Sequence, residues 1–481
     1  MKTSATLRYE QLAQQIAAQI RAGTLRAGER IPSVRQACAA HGVSPGTVQS
    51  AYQRLEDEGL IHTRPRSGYY VSATWKAVAK QATTPAEPDT SKPPKTSTAV
   101  AVSDLVFEIL ESVKSESVVP LGSAFIHPSA FPLAKLARYL GSATRALEPA
   151  RMVADLPPGN RELRRLIARR YLGAGLNTDA DDILITHGGM EALNLSLQAV
   201  ARPGDTIAIE APAFYTALQA IERLGMKALA LPTHPRDGVD LDALADALKR
   251  RKIAACWFMT SFSNPLGSLM PEEGRAALVR MLAACEIPLI VDDVYEELYF
   301  GSTRPRPAKA WDKAGLVLHC SSFSKCLAPG YRVGWVLAGR YAQQVRRLKM
   351  MTTLSTAIPP QAALADYLKQ GGYDHHLRAL RAALQTQQGR MREAVAHHFP
   401  AGTRITRPQG GYFLWVELPA HIDALAVHAR AAQKNISVAP GPIFSPQRRY
   451  ANCLRLNYGQ PFTPQVEGAI AALGRICASL A

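Results

Sequence analysis

The chain has 481 residues, of which 47% are hydrophobic and 20% charged. This is the composition of packed domains, and the length predicts two or three of them. No apolar run approaches the roughly 18 residues of a transmembrane helix, and the N-terminus lacks the apolar core of a signal peptide, so we expect a cytoplasmic protein. The seven cysteines are scattered without CxxC pairs, which predicts neither disulfides nor a metal site. A formal charge of +17 favours a polyanionic partner.

Residues 1–72 are predicted to form a small domain of their own. Apolar residues at four-residue spacing indicate a first helix, and Ser33 and Ser44 can cap two more. Residues 60–71 have the pattern of two short strands joined by a turn at Gly68. Helix, helix, turn, helix and hairpin is the order of a winged helix-turn-helix.

The composition changes after this domain. Residues 73–101 are rich in Pro, Thr and Lys, and we expect a flexible tether because such a segment buries little apolar surface. From residue 102 to residue 481, helical stretches alternate with short apolar strands, which predicts an α/β fold with a mostly parallel sheet. The portion from about 345 to 481 has strands of its own and is expected to form a smaller lobe.

The segment SSFSKCLAPGYRVGW, residues 321–335, carries the most specific chemistry. Lys325 follows a strand in an apolar sequence, where a lysine of lowered pKa can attack a carbonyl and hold an imine. Ser322, Ser324 and Arg332 provide hydroxyl groups and a guanidinium that suit a phosphate ester. Together they indicate pyridoxal 5'-phosphate (PLP) bound as an aldimine on Lys325. The alternative is a surface lysine beside a serine-rich turn.

Three more segments favour the cofactor. Asp292 ends an apolar strand, where ligands of open α/β sheets bind, and it could pair with the pyridine nitrogen. Tyr295 and Asn264 could donate to the phenolate oxygen of the ring, although Asn264 alone would also suit an ordinary turn. Gly189 and Met190 open a helix whose free amides could hold the phosphate.

In this combination and order, the segments resemble those of fold type I PLP enzymes, the aspartate aminotransferase superfamily. The resemblance covers roughly residues 105–481. It implies that Phe214 stacks on the pyridine ring and that Arg455 holds the carboxylate of an amino-acid ligand. One position departs from the pattern, because Ala154 stands where the family usually has a tyrosine five residues before the glycine equivalent to Gly159. That departure puts one phosphate contact, and retained transaminase activity, in question.

The first seventy residues resemble the GntR family of winged-helix regulators. The resemblance implies a double-stranded DNA partner, with Arg35 on phosphate, Ser44 and Thr47 in the major groove, and Arg64 and Gly68 shaping the wing. The family often has arginine where this chain has Pro45, so local base recognition must differ.

A GntR-like domain joined to an aminotransferase-like body is the arrangement of MocR-type transcriptional regulators. We therefore expect a homodimeric DNA-binding regulator whose operator affinity depends on PLP, or on an amine or amino-acid effector that reacts at the aldimine. A working aminotransferase with a secondary DNA-binding unit is the main alternative. A PLP-carrying structural protein with neither activity is a third.

Overall fold

The structure is a computed structural model that describes residues 8–21, 23–57, 60–64, 67–72, 85–111, 118–148, 150 and 156–481. It divides into two compact units, Met1–Thr83 and Thr84–Ala481. Each unit is described by itself below.

The N-terminal unit has the order of elements that the sequence predicts. These are α1 (Arg8–Arg21), α2 (Val34–His41), α3 (Pro45–Asp57), β1 (Ile61–Arg64) and β2 (Gly68–Val71), with β1 and β2 antiparallel. Ile16 and Ile20 of α1 are buried together with Val48 and Leu55 of α3. Because these apolar side chains recur every three to four residues, each helix turns one stripe toward a shared core. The winged helix-turn-helix prediction is confirmed.

The larger unit is built on one extended sheet. Its strands are β3 (Thr98–Ala99), β4 (Ile183–His187), β5 (Thr206–Ala211), β6 (Lys227–His234), β7 (Gly238–Val239), β8 (Ala255–Phe258), β9 (Leu289–Asp292), β10 (Val317–Ser322) and β11 (Val333–Leu337). They are arranged in the order β3-β6-β5-β8-β9-β10-β11-β4, with β7 beside β6. The strands from β6 to β10 are parallel, whereas β11 is antiparallel to both of its neighbours.

Helices connect and cover these strands. They are α4 (Ser103–Glu111), α5 (Leu133–Ala146), α6 (Arg161–Leu172), α7 (Gly188–Val200), α8 (Tyr215–Arg223), α9 (Leu241–Arg250), α10 (Glu272–Ala284), α11 (Ala342–Thr352), α12 (Ile358–Lys369) and α13 (Gly372–His398). Strands β8 to β11 are buried at every position, as expected where helices cover both faces of a sheet. The predicted α/β fold is confirmed.

A second sheet lies near the C-terminus. It contains β12 (Arg404–Ile405), β13 (Phe413–Glu417), β14 (Ala439–Pro440) and β15 (Cys453–Asn457), with α14 (Ala424–Ala432) and α15 (Pro464–Ala478) alongside. An earlier segment joins it, because the Val119 amide donates to the Asn435 carbonyl at 2.8 Å and the Asn457 amide donates to the Leu121 carbonyl at 2.7 Å. The smaller lobe therefore includes residues near 120 besides those after 345.

The predicted tether, residues 73–101, differs from the structure in its second half. The Thr233 amide donates to Ser91 Oγ at 2.9 Å, Asp89 pairs with Arg404 at 2.7 Å, and Thr98–Ala99 add a strand to the edge of the large sheet. Residues 85–101 thus belong to the larger unit, since backbone pairing and charge pairing hold a segment that buries little apolar surface. Residues 73–84 lie outside the described part of the chain.

Among the described residues, no helix combines the length and the apolar character needed to cross a bilayer.

Candidate functional site

The predicted cofactor residues converge on the carboxyl edge of the large sheet. Strands β9 and β10 are parallel neighbours, with Asp292 paired in register to Cys320. Asp292 is the last residue of β9, and Ser322 is the last residue of β10. Since parallel strands all end at the same edge, side chains far apart in the sequence meet there.

Lys325 lies in the turn after β10 and is half-buried. Its Nζ donates to the Ala124 carbonyl at 2.9 Å and lies 4.3 Å from the centre of the Phe125 ring. Tyr412 Oη donates to the same carbonyl at 2.9 Å. The ammonium group therefore has a neutral acceptor and an aromatic face as its close contacts.

Burial shifts the pKa values of Lys325 and Asp292 in opposite directions. Desolvation lowers the pKa of Lys325 to about 8, and the positive charges of Arg455 and Arg332 act in the same direction. Desolvation raises the pKa of Asp292 to about 7, while the charge of Lys325 opposes that rise. The lysine is thus held near the point where its nucleophilic, uncharged form is populated at neutral pH.

Asp292 and Asn264 present polar atoms that make no hydrogen bond to any described residue. Asp292 is 1% exposed, and its Oδ1 makes no hydrogen bond. Asn264 is equally buried; its Oδ1 accepts from Arg455 Nη1 at 3.1 Å, whereas its Nδ2 is unpartnered. A buried acceptor and a buried donor left unpaired cost free energy unless a ligand satisfies them.

Tyr295 is buried beside these groups. Its ring packs edge-on against Tyr412, with centroids 5.3 Å apart, and against Phe413 at 5.7 Å. Burial raises the pKa of the Tyr295 hydroxyl, and the negative charge of Asp292 acts in the same direction. The hydroxyl therefore stays protonated and available as a donor.

Arg455 is fully buried on β15 of the C-terminal sheet. Its guanidinium lies 4.4 Å from the Phe413 ring and 5.4 Å from the Phe444 ring. Besides its bond to Asn264, it donates through Nη2 to the Gly122 carbonyl, while Nε is unpartnered. Desolvation lowers the pKa of Arg455, but the guanidinium keeps the fork geometry that a carboxylate needs.

The other predicted residues form a cradle at the start of α7. A Cβ at Gly188 would come within 2.6 Å of the Arg332 guanidinium, and one at Gly189 would lie 3.1 Å from Val294. Arg332 Nη1 donates to Ser324 Oγ at 3.1 Å, and the Ser324 amide donates to Ser322 Oγ at 3.3 Å. A helix N-terminus, two hydroxyls and an arginine make a suitable anion site.

Phe214 and Met190 are less closely tied to this arrangement. Phe214 caps α8 and lies 5.1 Å from Tyr215, ring centre to ring centre. Met190 is half-buried, and its carbonyl accepts from Asn194 Nδ2 at 2.8 Å. No contact links either side chain to Lys325 or Asp292 among the described residues, so the expected stacking by Phe214 stays a prediction.

Several site residues had no signal in the sequence. Tyr412 and Phe125 contact Lys325 or its acceptor, and Glu210 is buried near Asp292, with its pKa raised to about 8 by burial. Glu191 accepts from the His187 amide at 2.7 Å and from Lys349 Nζ at 2.8 Å at the start of α7. These residues come from separate elements, so no local motif grouped them.

The chemical groups of PLP can be compared with the side chains and backbone atoms at this site. The unpartnered Asp292 carboxylate oxygen suits a pyridine N–H, the unpartnered Asn264 amide suits a ring oxygen, and the Gly188 cradle suits a phosphate. Lys325 lies close enough to Asp292 and Arg332 for their charges to affect its pKa, which desolvation lowers to about 8. The residues present therefore fit the cofactor.

The N-terminal unit presents its predicted DNA residues on α2 and α3. Ser33 caps α2 in a reciprocal pair with Gln36, and exposed Arg35 follows in the first turn. Ser44 Oγ accepts from the Thr47 amide at 3.2 Å, and the two hydroxyls are 2.9 Å apart. These bonds satisfy the free amides of the helix starts and fix the orientation of both helices.

The structure describes the two strands of the wing, which lie within residues 60–64 and 67–72. Gly68 has a φ of +102° and opens β2, and a Cβ there would lie 3.3 Å from the Arg30 guanidinium. The Arg64 side chain and Ala154 lie outside the described part of the chain. Glycine is required at residue 68 because other residues rarely adopt this backbone conformation.

Comparison with known proteins covers both units. The family model of aminotransferase class I and II matches residues 148–473, and that of bacterial regulatory proteins of the gntR family matches residues 8–71. YdcR of Escherichia coli, named as an uncharacterized HTH-type transcriptional regulator, is 45% identical over 98% of each chain.

Solved aminotransferases resemble the larger unit. LysN of Thermus thermophilus, an α-aminoadipate aminotransferase complexed with N-(5'-phosphopyridoxyl)-L-leucine, is 29% identical with a TM-score of 0.70, over 79% of this chain and 99% of its own. Kynurenine aminotransferase of Pyrococcus horikoshii, in complex with PMP, is 28% identical with a TM-score of 0.72, over 78% of this chain and 94% of its own. With matches to a DNA-binding family model at one end, an aminotransferase model over most of the remainder and a regulator along the whole length, the chain belongs to the MocR-like family of HTH-type transcriptional regulators.

Proposed function

We propose that the protein is a PLP-dependent transcriptional regulator that binds operator DNA through its N-terminal unit and senses an amine or amino acid at Lys325. The proposal is carried by one observation: a GntR-type unit with its caps intact and a fitted cofactor site occur in the same chain. The match to the gntR family implies DNA binding, and the family of the larger unit has solved members bound to PLP derivatives.

In this proposal, Lys325 holds the cofactor covalently through Nζ. Asp292 accepts from the pyridine nitrogen, Asn264 and Tyr295 donate to the ring oxygen, and Gly189, Met190, Ser322, Ser324 and Arg332 hold the phosphate. When bound, the cofactor supplies an aldehyde carbon that exchanges amines and a ring that accepts electrons. Arg455 binds the carboxylate of an effector, which selects amino acids over simple amines.

On the DNA side, Arg35 contacts phosphate, whereas Ser44 and Thr47 face the base edges. Arg64 and Gly68 form the wing. The charge of residues 1–75, nine basic and five acidic side chains, is enough for a few phosphate contacts and makes binding depend on salt.

The decisive experiment is an operator shift assay on the full chain with and without PLP, and with PLP plus candidate amines, beside a transamination assay on the same preparation. We expect amines to change operator affinity about 5- to 150-fold, the range of typical allosteric coupling. Borohydride reduction and peptide mapping should place the cofactor on Lys325. Label on another lysine, or operator binding that ignores both PLP and amines, would contradict the proposal.

A working aminotransferase is a second candidate, favoured by the intact set of Lys325, Asp292, Asn264 and Arg455. Amine exchange at Lys325 would draw on these four side chains, whereas Ala154, which stands where the family usually has a tyrosine, lies outside the described residues. Steady turnover with an amino acid and an oxo acid, continuing over many equivalents of product per chain, would support it. Amine exchange that stops after one equivalent would favour the regulator.

A further inference from the structure

A second cluster of polar side chains is buried next to the cofactor residues but takes no part in the site described above. Asp293 and Glu296 lie in the turn after β9, and His319 lies within β10. Their exposed fractions are 0%, 2% and 0%. One oxygen or nitrogen from each lies within 4.8 Å of the others.

The inward-facing atoms of this cluster have no hydrogen-bond partners. Among the described residues, no hydrogen bond reaches either Asp293 oxygen, Glu296 Oε2 or His319 Nδ1. The hydroxyl of Ser261 lies near Asp293, is equally buried and makes no hydrogen bond in its present position. His319 Nδ1 lies 3.9 Å from Asp293 Oδ2, which is too long for a hydrogen bond. Buried polar atoms left unpaired cost free energy, and a cation between the two carboxylates and the imidazole would satisfy all three side chains at once.

The outward-facing atoms, in contrast, are held in place. Glu296 Oε1 accepts from Arg304 Nη2 at 2.6 Å. His319 Nε2 lies 2.8 Å from Tyr171 Oη, which accepts from Trp335 Nε1 at 2.8 Å. Metal-binding carboxylates and histidines are oriented in this way, by hydrogen bonds on the atom that does not bind the ion.

Nearby cations do not fill the gap among the described residues. Arg275 is an additional guanidinium close by, but it donates to the carbonyls of Thr260 and Arg306, and its Nε is unpartnered. Arg304 is shared between Glu296 and Glu297. Neither side chain reaches Asp293 with a hydrogen bond.

We propose that Asp293, Glu296 and His319 form a binding site for one divalent first-row metal ion, with Zn²⁺ and Mn²⁺ as the best matches. An ion at the centre of a triangle with 4.8 Å sides is about 2.8 Å from each corner. Side-chain shifts of less than about 1 Å would bring the ligands to the roughly 2.0–2.2 Å of zinc sites. The imidazole ligand disfavours Mg²⁺ and Ca²⁺, which take oxygen ligands.

Cysteine spacing pointed to no metal site, because this one uses no cysteine and draws its ligands from a turn and a neighbouring strand. An ion here would join the turn that carries Asp292 and Tyr295 to strand β10. Its role is therefore structural, and it does not depend on the proposed regulatory function.

The test uses the untagged full chain. Because the ligands are buried, protein produced in medium supplemented with ZnCl₂ or MnCl₂ is compared with protein refolded from denaturant with the same salts or with MgCl₂. After dialysis, elemental mass spectrometry should find about one Zn²⁺ or Mn²⁺ per chain and no bound Mg²⁺. The metal-loaded protein should also unfold at a higher temperature than protein refolded with chelator.

Asp293→Asn and His319→Gln should each lower the retained metal at least about tenfold, and Glu296→Gln serves as a third variant if either fails to fold. The matched control is the exposed His234–Asp237 pair, 2.9 Å apart, whose double variant His234→Gln/Asp237→Asn should retain the full amount. Circular dichroism verifies folding in every case. Wild-type protein that holds no metal after both preparations would overturn the site, and so would variants that retain the metal fully. In the first case, hydrogen bonds from Ser261 and Arg275 would satisfy Asp293 instead.

Discussion

At the scale of single residues, the proposed cofactor site depends on a few buried atoms that have no hydrogen-bond partner in the described part of the chain. Asp292 Oδ1 and Asn264 Nδ2 are unpartnered in a region where unpaired polar groups are costly. Their neighbours Arg455, Tyr295 and Tyr412 are all fully buried. A ligand that forms hydrogen bonds with these two atoms would remove that cost and so stabilise the folded protein.

The Asp292 carboxylate gives the first prediction. Asp292→Ala should weaken PLP retention about 10- to 150-fold, because a charge-assisted hydrogen bond is worth roughly 1.5–3 kcal/mol. Equilibrium dialysis of the apo variant against PLP measures the loss. Asp246→Ala, which removes an exposed carboxylate 3.6 Å from Arg250, should behave like the wild type. Equal PLP affinity in the two variants would refute the role of Asp292.

The lowered pKa of Lys325 gives the second prediction. With a pKa of about 8, half of the lysine is uncharged near pH 8 instead of near pH 10.5, its ordinary value. The rate of covalent PLP capture by the apo protein should therefore rise about tenfold per pH unit below that point and level off above it. Stopped-flow absorbance over roughly pH 6 to 10 measures the profile.

The same shift affects stability in the apo protein. The folded state loses the Lys325 proton near pH 8, whereas the unfolded state keeps it up to its higher pKa, so unfolded chains bind more protons between these values. The contribution of Lys325 to the free energy of unfolding accordingly rises as pH increases from about 8 toward 10.5.

For the PLP-capture experiment, a rate profile that levels off only near pH 10.5 would mean that Lys325 is not desolvated.

At the scale of elements, the DNA-binding unit orients its side chains through helix caps. The reciprocal Ser33–Gln36 pair begins α2, and the Ser44–Thr47 contact begins α3. Because each cap satisfies backbone amides, the position of Arg35 or Thr47 is set by the helix start and not by a loop.

Arg35 and Thr47 should therefore respond differently to substitution. Arg35→Ala should weaken binding to all operator variants alike and flatten the salt dependence by about one unit of slope, as the loss of a phosphate contact does. Thr47→Ala should change the preference among operator variants more than the overall affinity. Fluorescence anisotropy across salt concentrations and base substitutions separates the two effects.

The control for these variants is Arg250→Ala, which removes an exposed arginine of the larger unit on α9. It should leave the salt slope unchanged. If a fragment of residues 1–75 and the full chain both bind DNA without salt dependence, the assignment of the N-terminal unit fails.

At the scale of the whole molecule, the proposed regulation requires that an effector bound in the larger unit change the operator affinity of the N-terminal unit. Ligand binding can shift such an equilibrium only by its different affinity for two states. Residues 85–101 are bound to the larger unit, which removes them from the flexible tether that their composition predicts.

Arg455 gives the prediction at this scale. Arg455→Ala should retain basal DNA binding but lose the response to an amino-acid effector. The substitution also removes the donor to Asn264 Oδ1, so Arg455→Lys, which keeps the charge but not the fork, is the sharper variant. Titrating amino acids and their decarboxylated amines against operator affinity measures the effect. An undiminished amino-acid response in both variants would mean that the effector is PLP itself or a ligand without a carboxylate.

The sequence by itself determined the order of the elements and the family resemblance, and it predicted the residues around Lys325 that would hold PLP. The elements follow from local periodicity and capping residues, and the resemblance follows from the motifs and their order. Both can be read from the sequence before the fold is known. Phe214 shows the limit, since its stacking on the ring is implied by the resemblance alone and stays a prediction.

Only the tertiary structure decided which distant residues meet. It joined Arg455 to Asn264, Tyr412 to the carbonyl that Lys325 uses, and Asp293 to His319. It also placed residues 85–101 along the larger unit against the expectation of a loose tether. The physical reason is that strand pairing and the packing of the C-terminal sheet against the large sheet bring together side chains from separate segments, and no local sequence pattern records which segments will meet.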